Sequence, residues 1–315
     1  MVKVWITGVA GSLGSFLANE LVKRGYRVAG NDIKSPEDAY LGGLSREVEY
    51  LWKANEDLTP RDLDDYQIIV NCAASPDRPM GISSPSHVFL NNTLSILKLL
   101  EVLRETKPEK IVHAGSGTVY IGSDLPATES TRPTPRNPYS VSKLAQDEIA
   151  LSYYRAYGLP CVIVRSGMVY GGGRLAIAPH RFMIQALRGE PITVFGGRQT
   201  RTPTHLSDVL KYWLKIIEAP AEKVVGRVIH TVYPTSPDQK GEYTILEMAL
   251  MVKEITESKS EILILPYEPG EHENNKPLRE WIISTTAHQL GVKPEIDLKR
   301  GLELTLDWIK EVVRR

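Results

Sequence analysis

The first half of the chain alternates short apolar runs with segments whose apolar residues recur at helical spacing. The apolar runs are typical of buried strands and lie at residues 2–7, 27–32, 48–52, 67–74, 110–116 and 160–165. The helical segments lie at residues 12–24, 86–105 and 138–157, and the second of them carries Leu90, Leu94, Leu97 and Leu100. Near-continuous apolar strands that alternate with helices favour a parallel sheet covered on both faces. We therefore predict an α/β fold built on a doubly wound parallel sheet.

The pattern changes after Tyr170, where three consecutive glycines interrupt it. Shorter elements follow, with helices predicted near 178–188, 206–218, 244–257 and 298–313 and a strand at 192–195. The run 226–232 could return to the main sheet. Four prolines between residues 125 and 138 predict a loop there. We expect these later elements to form a smaller, mixed lobe.

The composition is that of a globular protein and excludes several classes. Apolar residues make up 42% of the 315 residues and charged residues 24%. The 38 basic and 38 acidic residues cancel, which disfavours a general binder of nucleic acid or acidic membranes. Cys72 and Cys161 lie in apolar runs, so we interpret both as buried small hydrophobic residues rather than a disulfide framework. No Cys and His cluster has metal-site spacing, and no metal is expected.

The start of the chain and its hydropathy bear on where the protein resides. Residues 2–7 enter a strand pattern at once, without the layout of a signal peptide. No apolar run approaches the roughly 18 residues that a membrane span requires. We expect a soluble, cytoplasmic protein.

A glycine-rich turn joins the first predicted strand to the first predicted helix. Gly8, Gly11 and Gly14 follow a GxxGxxG spacing. Glycine permits a tight turn and lets backbone N–H groups approach a pyrophosphate, while the helix N-terminus supplies positive partial charge. Such a turn can also be purely structural, so the three glycines alone are weak evidence for a dinucleotide site.

Asp32 strengthens the interpretation of this turn as a dinucleotide site. It ends the second predicted strand, close to the expected spacing of about 20 residues after the glycines. A carboxylate at that position can accept hydrogen bonds from a ribose diol and repels a 2′-phosphate, which favours NAD over NADP. The alternative is a solvated aspartate at a strand end.

Tyr139 and Lys143 open the helix predicted at 138–157 and share one of its faces at a spacing of i and i+4. A phenol with a pKa of about 10 is a poor base at neutral pH. A nearby ammonium group, and the positive charge of NAD+, favour the phenolate and lower that pKa. The pair thus suits proton removal from an alcohol during hydride transfer, although YxxxK alone also fits a surface pair.

Ser116 lies at the carboxyl end of the fifth predicted strand, where doubly wound sheets bind their ligands. Its hydroxyl could bridge a substrate hydroxyl and Tyr139, and Thr118 offers a second hydroxyl. A serine that only shapes a turn is the alternative. His113 falls inside the strand and is interpreted as a packed core residue.

Together these residues resemble the extended short-chain dehydrogenase/reductase superfamily, in its branch of NAD-dependent nucleotide-sugar epimerases and dehydratases. The resemblance covers most of the chain, with the best support over residues 1 to about 215. It implies a Rossmann-type NAD-binding domain at 1–170, completed by segments near 203–233, and a substrate lobe at 171–202 and 234–315. It also implies a homodimer through the helices at 86–105 and 138–157.

The resemblance further implies roles for individual residues. The implied catalytic residues are Ser116, Tyr139 and Lys143. Those implied to bind NAD, besides Tyr139 and Lys143, are Gly8, Gly11, Ser12, Leu13, Gly14, Asp32, Ile33, Asp57, Leu58, Cys72, Ala73, Ala74, Asn92 and Ala114. Ser116, Thr118, Tyr139 and Arg201 are implied to contact the substrate, with Arg201 on a nucleotide diphosphate.

The sequence departs from the family pattern in three places, of which the first two concern the substrate side. Met168 stands where the family usually has an asparagine before Val-Tyr-Gly. Residues 269–275 lack the arginine that often precedes a Gly-Asp pair, and Arg279 is a weak substitute. The sequence after Ser116 reads Gly-Thr-Val, without the acidic residue of the dehydratases.

These observations predict an NAD-dependent epimerase that acts at C4 of a UDP-hexose through a transient 4-keto intermediate. One alternative is a net dehydrogenase of a smaller polyol, sugar acid or hydroxy acid, which Met168 and the missing arginine favour. Another is an NAD-binding regulatory protein without turnover. Such proteins tend to lose the Tyr–Lys pair, whereas this chain keeps both residues.

Overall fold

The computed structural model describes residues 1–75, 83–123, 125–236, 238–268, 272–273 and 276–314. The chain divides into two compact units. The first comprises residues 1–116, 137–165 and 212–229, and the second comprises residues 117–136, 166–211 and 230–315.

A seven-stranded sheet forms the centre of the first unit. Its strands, in chain order, are β1 (Lys3–Thr7), β2 (Arg27–Asp32), β3 (Glu49–Trp52), β4 (Ile68–Asn71), β5 (Lys110–Ala114), β6 (Cys161–Ser166) and β11 (Val228–Thr231). The spatial order is β11-β6-β5-β4-β1-β2-β3, and the pairs from β6 through to β3 are parallel. The predicted doubly wound sheet is confirmed, including the return of residues 226–232 to its edge. The carboxyl ends of β1, β4 and β5 lie side by side, which is where such sheets bind ligands.

Helices cover this sheet because its strands present apolar residues on both faces. The helices with residues in this unit are Ser12–Lys23, Pro36–Leu41, Pro60–Leu63, Pro85–Thr106, Pro138–Tyr157, Leu206–Glu218 and Ala221–Val224. Trp5, Ile69 and Ile111 occupy one face in register and pack with Leu99 and Ala150 of the two longest helices. Those two helices, Pro85–Thr106 and Pro138–Tyr157, also pack against each other.

The ends of the Pro138–Tyr157 helix are fixed by their local sequence. Asn137 accepts a hydrogen bond from the backbone N–H of Ser140, and the Ser140 hydroxyl accepts one from the backbone N–H of Asn137. This reciprocal cap satisfies donors that a helix start leaves unpaired. Gly158 adopts a left-handed conformation and ends the helix. The cap sets where the following Tyr139 and Lys143 lie.

The second unit has its own core and several very short strands. Its helices are Ala178–Arg188, Ile245–Ile255 and Leu298–Arg314, and its strands are β7 (Met168–Tyr170), β8 (Ile192–Phe195), β9 (Thr200–Arg201), β10 (Pro203–His205), β12 (Tyr243–Thr244), β13 (Ile262–Leu265), β14 (His272–Glu273) and β15 (Lys276–Pro277). Phe182, Met248 and Leu302, one from each helix, are buried in a shared apolar cluster. These elements confirm the smaller, mixed lobe. Among the described residues, no helix combines the length and apolarity needed to cross a membrane.

Candidate active site

The turn after β1 requires glycine at two positions. Gly8 has a φ of +65°, and a Cβ atom there would lie 2.8 Å from the backbone nitrogen of Ala73. Gly14 has no unusual φ, but a Cβ atom on it would lie 2.3 Å from the carbonyl oxygen of Gly8. The turn is therefore packed between the start of the Ser12–Lys23 helix and the segment that follows β4. Such close backbone packing is the geometry of a dinucleotide turn.

The helix that follows this turn begins without a capping side chain. Gly11 is its N-cap residue, and its first turn, which includes Ser12 and Leu13, has no acidic residue. The first N–H groups of a helix lack intrahelical partners and carry positive partial charge. The turn thus fits a diphosphate, as expected for Gly8, Gly11, Ser12, Leu13 and Gly14.

Asp32 lies at the end of β2, beside this turn. Its Oδ2 accepts a hydrogen bond from the backbone N–H of Ala10 at 3.0 Å, and its Oδ1 accepts one from that of Lys34 at 3.2 Å. The Lys34 ammonium donates to the carbonyl oxygen of Ala10 at 2.9 Å. These contacts hold the carboxylate at the edge of the turn, while the neighbouring Ile33 side chain is exposed. This position suits recognition of an adenosine ribose.

Asp57 and Leu58, the residues expected near the adenine, lie at the end of the short helix Asn55–Asp57, with Asp57 as its last residue and Leu58 directly after it. Asp57 is exposed, whereas Leu58 is buried in the core cluster of the sheet. The Asn55 amide oxygen accepts a hydrogen bond from the Asn31 amide at 2.9 Å, which ties this helix to β2. Both residues follow the carboxyl end of β3, the strand that pairs with β2 and places Trp52 opposite Asp32.

The segment Cys72–Ala74 follows β4 and meets the first turn. The Thr7 hydroxyl accepts a hydrogen bond from the backbone N–H of Ala73 at 3.3 Å. Cys161 is buried as predicted, but the prediction that Cys72 is buried is wrong, because its surface is partly exposed at this strand end. Desolvation still raises the pKa of the Cys72 thiol to about 12, which makes it a poor nucleophile at neutral pH.

Asn92 links the segment after β4 to the helix that carries Tyr139. Its buried amide oxygen accepts from the backbone N–H of Ser75 at 2.7 Å, and its amide nitrogen donates to the Ser142 hydroxyl at 3.0 Å. The Ser142 hydroxyl in turn donates to the carbonyl oxygen of Tyr139 at 2.8 Å. Asn92 therefore helps to fix the helix turn on which Tyr139 lies.

Lys143 is buried at the carboxyl end of β5. Its ammonium group donates to the carbonyl oxygen of Ala114 at 2.7 Å and to the amide oxygen of Gln146 at 2.6 Å. Burial lowers the pKa of Lys143 to about 8, against the influence of the Asp147 carboxylate. Ser116, two residues beyond Ala114, is also buried, and Tyr139 is partly buried one helical turn before Lys143. The first unit thus contains all three residues expected to be catalytic.

The residues expected to contact the substrate include two in the second unit. Thr118 lies in the short helix Gly117–Tyr120 and is buried. Arg201 is buried in β9, where it donates to the carbonyl oxygen of Thr200 at 2.6 Å and lies 3.8 Å from a Glu280 carboxylate oxygen. Arg279 forms a two-pronged ion pair with Glu242, at 2.8 and 2.6 Å.

The departures from the family pattern lie in the same unit. Met168 is partly buried in β7, whose parallel neighbour is β10. Residues 269–271 and 274–275 lie outside the described residues. Within the described ranges, no group of three or more His, Cys, Asp or Glu side chains is arranged to hold a metal ion.

Sequence reasoning missed a buried polar cluster beneath Lys143. It contains His113, Asp147 and Arg165, and the Arg165 Nε donates to Asp147 Oδ2 at 2.8 Å. His113 is buried, as its placement in the strand predicts. The helical spacing of Asp147, one turn after Lys143, is the signal that could have identified the acidic member.

Comparison with known proteins finds a matching family model and relatives that match along almost the whole chain. The sequence model of the NAD dependent epimerase/dehydratase family matches residues 4–231. A putative UDP-glucose 4-epimerase of Methanocaldococcus jannaschii is 28% identical, over 98% of this chain and 98% of its own. The UDP-glucuronate 4-epimerase of Thermodesulfobacterium geofontis is 25% identical, over 97% of this chain and 95% of its own.

A solved structure is similar to this chain over almost its whole length. The crystal structure of UDP-glucuronic acid 4-epimerase from Bacillus cereus, in complex with UDP-glucuronic acid and NAD, superposes with a TM-score of 0.88 at 26% identity. The match covers 99% of this chain and 100% of that chain. The similarity therefore extends through both units.

Proposed function

Because the chain belongs to the NAD dependent epimerase/dehydratase family, we propose that it is an epimerase that inverts C4 of a UDP-hexose. Membership makes it an NAD-dependent enzyme of the extended short-chain dehydrogenase/reductase type. Relatives that bear the names UDP-glucose and UDP-glucuronate 4-epimerase support a nucleotide sugar as the substrate. The neutral hexose and the hexuronate are therefore both substrates to test.

The residues of the first unit fit NAD. The glycine turn leaves no room for side chains at positions 8 and 14, and the uncapped helix start is free of acidic residues. We assign the diphosphate to this turn, the adenosine ribose to Asp32 and the nicotinamide side to Cys72–Ala74 and Ala114. The chemistry that NAD supplies when bound is the acceptance and return of a hydride.

Tyr139, Lys143 and Ser116 have complementary roles in this proposal. The Tyr139 oxygen takes the proton of the C4 hydroxyl as the hydride leaves C4, which gives a 4-keto sugar. The Lys143 ammonium favours the tyrosinate by its charge and holds the nicotinamide ribose. The Ser116 hydroxyl donates a hydrogen bond to the reacting oxygen. Rotation of the keto sugar then exposes its other face, and reversal of both transfers gives the epimer.

One observation carries the proposal: the burial of Lys143 beside the carboxyl end of β5. A lysine that only served solubility would extend into solvent, whereas this ammonium group is bonded to Ala114 and Gln146. Burial of a charged group is costly, so a buried lysine is typical of a functional site.

Arg201 is proposed to bind the diphosphate of the substrate.

The test is product analysis with candidate UDP-sugars. Purified protein is incubated separately with UDP-glucose, UDP-galactose, UDP-glucuronic acid and UDP-galacturonic acid, and proton NMR follows the anomeric signals. We expect the C4 epimer of at least one sugar, without net growth of NADH absorbance. The Tyr139→Phe variant serves as the matched control. No epimer from any of the four would overturn the proposal.

A net dehydrogenase of a smaller polyol, sugar acid or hydroxy acid is the second candidate function. Met168 favours it, because a thioether cannot donate the hydrogen bond of the asparagine that the family usually has there. The ion pair between Arg279 and Glu242 also favours it, because this guanidinium is already matched by a carboxylate. Steady accumulation of NADH with such a substrate would support this candidate.

If the protein instead had a regulatory role without turnover, the Tyr139→Phe variant would keep the biological effect of the wild type.

We further propose a homodimer through the two longest helices. Three leucines of the Pro85–Thr106 helix stay exposed, Leu90 at 63%, Leu94 at 44% and Leu97 at 38%, and Val141 of the neighbouring helix is 42% exposed. Exposed apolar residues on two helices that pack together are typical of a protein interface.

Replacement of Leu90 and Leu94 by glutamate is expected to give a monomer. The loss of two leucines that the proposed dimer would bury costs up to about 1.5–3 kcal/mol each, which raises the dimer Kd by roughly 100-fold or more. Light scattering after size-exclusion chromatography measures the mass. Leu250→Glu, a similarly exposed leucine of the second unit, should leave the mass unchanged. A wild-type monomer at micromolar concentration would contradict the prediction.

A further inference from the structure

A fully buried carboxylate lies one helical turn beyond Lys143. Asp147 has no exposed surface, and its Oδ2 accepts a hydrogen bond from Arg165 Nε at 2.8 Å. Its other oxygen, Oδ1, faces the Nε2 of His113 at 3.5 Å. Within the described part of the chain these two atoms have no closer hydrogen-bond partner. A buried anion of this kind needs cations or donors around it.

A chain of hydrogen bonds sets which nitrogen of His113 carries its proton. The Thr7 hydroxyl donates to the amide oxygen of Asn71 at 2.6 Å, so the Asn71 nitrogen is the atom that points to His113. That nitrogen lies 3.0 Å from His113 Nδ1, which therefore accepts. Burial lowers the pKa of His113 well below its usual value, so the ring is neutral. The proton of the neutral ring is then on Nε2, which lies 3.5 Å from Asp147 Oδ1 without a hydrogen bond between them.

Gly115 leaves the space that this carboxylate occupies. A Cβ atom at Gly115 would lie 2.8 Å from Asp147 Oδ1 and 3.0 Å from the Arg165 Cγ. The absence of a side chain between Ala114 and Ser116 thus lets the carboxylate pack against the end of β5. The backbone there is the same segment to which Lys143 donates.

Charged and titratable groups on three elements interact with Lys143, and a fourth element supplies Arg165, which interacts with Asp147 and His113. Asp147 lies on its own helix, His113 on β5, Arg165 on β6 and Cys72 after β4. His113 and Cys72 are neutral at neutral pH, because burial lowers the pKa of the imidazole and raises that of the thiol. Burial also raises the pKa of Asp147, and the charges of Arg165 and Lys143 oppose this rise. The Arg165 Nε–H donates to Asp147 Oδ2 at 2.8 Å, and this charge-assisted contact favours the ionised carboxylate, which lies with the two cations Arg165 and Lys143.

We propose that Asp147 is a positioning residue that acts through Lys143: its carboxylate, held by the Arg165 Nε–H, keeps the ammonium group charged in its buried position one helical turn after Tyr139. The proposal rests on the proposed role of Lys143 in catalysis. Without the carboxylate, two cations would remain in a region of low dielectric, and the lysine is the one that can lose its proton. A neutral lysine could no longer favour the tyrosinate.

The titration of Lys143 in the resting protein tests this directly. Protein labelled with 13C-lysine is titrated by NMR, and the Lys143 signal is assigned by its loss in Lys143→Arg. We expect a midpoint near the value of about 8 that burial gives Lys143 in the unmodified protein. In Asp147→Asn the midpoint should fall by about one pH unit or more. The alkaline limb of the kcat profile should move down by a similar amount, and Asp147→Glu should restore both.

The matched control is Glu148→Gln on the same helix. It removes a carboxylate that is mostly exposed, so solvent screening should leave the Lys143 midpoint within about 0.2 unit. A folded Asp147→Asn protein whose Lys143 midpoint is unchanged would overturn the proposal.

Where Asp147→Asn fails to fold, His113→Phe decides instead. It keeps the carboxylate but removes the Nε2–H, so a smaller shift of the midpoint to lower pH is expected, and no shift overturns the proposal. The NMR signal is read without any substrate. A wild-type protein that forms no epimer would therefore count against the proposed function alone.

Discussion

Replacement of Tyr139 by phenylalanine is expected to lower the rate of epimerisation by about 10²–10⁴-fold, the usual contribution of a positioned acid or base. The change removes one oxygen atom and keeps the ring. The helix start should persist, because the reciprocal cap between Asn137 and Ser140 does not involve the phenol. We therefore expect the free energy of unfolding to change little, and the affinity for NAD to fall by no more than about 10-fold, the loss of a single hydrogen bond. Single-turnover kinetics, calorimetric NAD binding and thermal unfolding measure the three quantities.

Tyr157→Phe is the matched control for this variant. Tyr157 lies on the same helix, is 54% exposed and stacks with the Arg104 guanidinium, a contact that phenylalanine retains. Its rate should stay within about twofold of the wild type, since surface substitutions of this kind are nearly neutral. A Tyr139→Phe enzyme that keeps wild-type turnover would remove the phenol from the mechanism.

The strands of the main sheet were predictable because they are buried on both faces. Runs such as residues 68–71 and 161–166 are nearly continuous in apolar residues, which is typical of interior parallel strands. Such runs do not predict the spatial order of the strands in the sheet. The placement of β4 beside β1 depends on packing between residues that are far apart in the chain.

Short elements escaped the hydrophobic pattern. The helices Pro36–Leu41 and Pro60–Leu63 have too few residues to show a period of 3.6. Their starts carry a different signal, since Ser35 and Thr59 each precede a proline. The Ser35 hydroxyl accepts a hydrogen bond from the backbone N–H of Asp38, whereas the hydroxyl and backbone N–H of Thr59 donate to the Asp62 carboxylate. The two- and three-residue strands of the second unit leave even less pattern to detect.

The candidate site likewise contains features that local sequence predicts and features that depend on the folded sheet. The glycine spacing and the Tyr139–Lys143 pair are local signals, and the structure confirms the strand, turn and helix on which they were placed. The cluster of His113, Asp147 and Arg165 joins β5, a helix and β6, so only the sheet order brings its members together. The exposure of Cys72 has the same cause, because it depends on what lies beyond the end of β4.

Replacement of Gly14 by alanine is expected to weaken NAD binding by roughly 5- to 150-fold. The new Cβ atom would lie 2.3 Å from the Gly8 carbonyl oxygen and 3.0 Å from the Val9 Cα, so the backbone itself must move. Overpacking of this kind costs about 1–3 kcal/mol or more. Because the displaced atoms belong to the turn to which the diphosphate is assigned, part of that free energy is lost from binding. Isothermal titration calorimetry with NAD+ measures the affinity.

Gly25→Ala separates this effect from a general loss of stability. Gly25 follows the other end of the same helix and has a φ of +82°. Among the described residues other than its two chain neighbours, no atom lies within 4 Å of an added Cβ. The alanine there is strained by its backbone conformation, which lowers the free energy of unfolding by about 1 kcal/mol. Its NAD affinity should equal that of the wild type, since the strain lies away from the turn. Equal losses of NAD affinity in both variants would mean that binding follows overall stability, and the diphosphate assignment would then have to be abandoned.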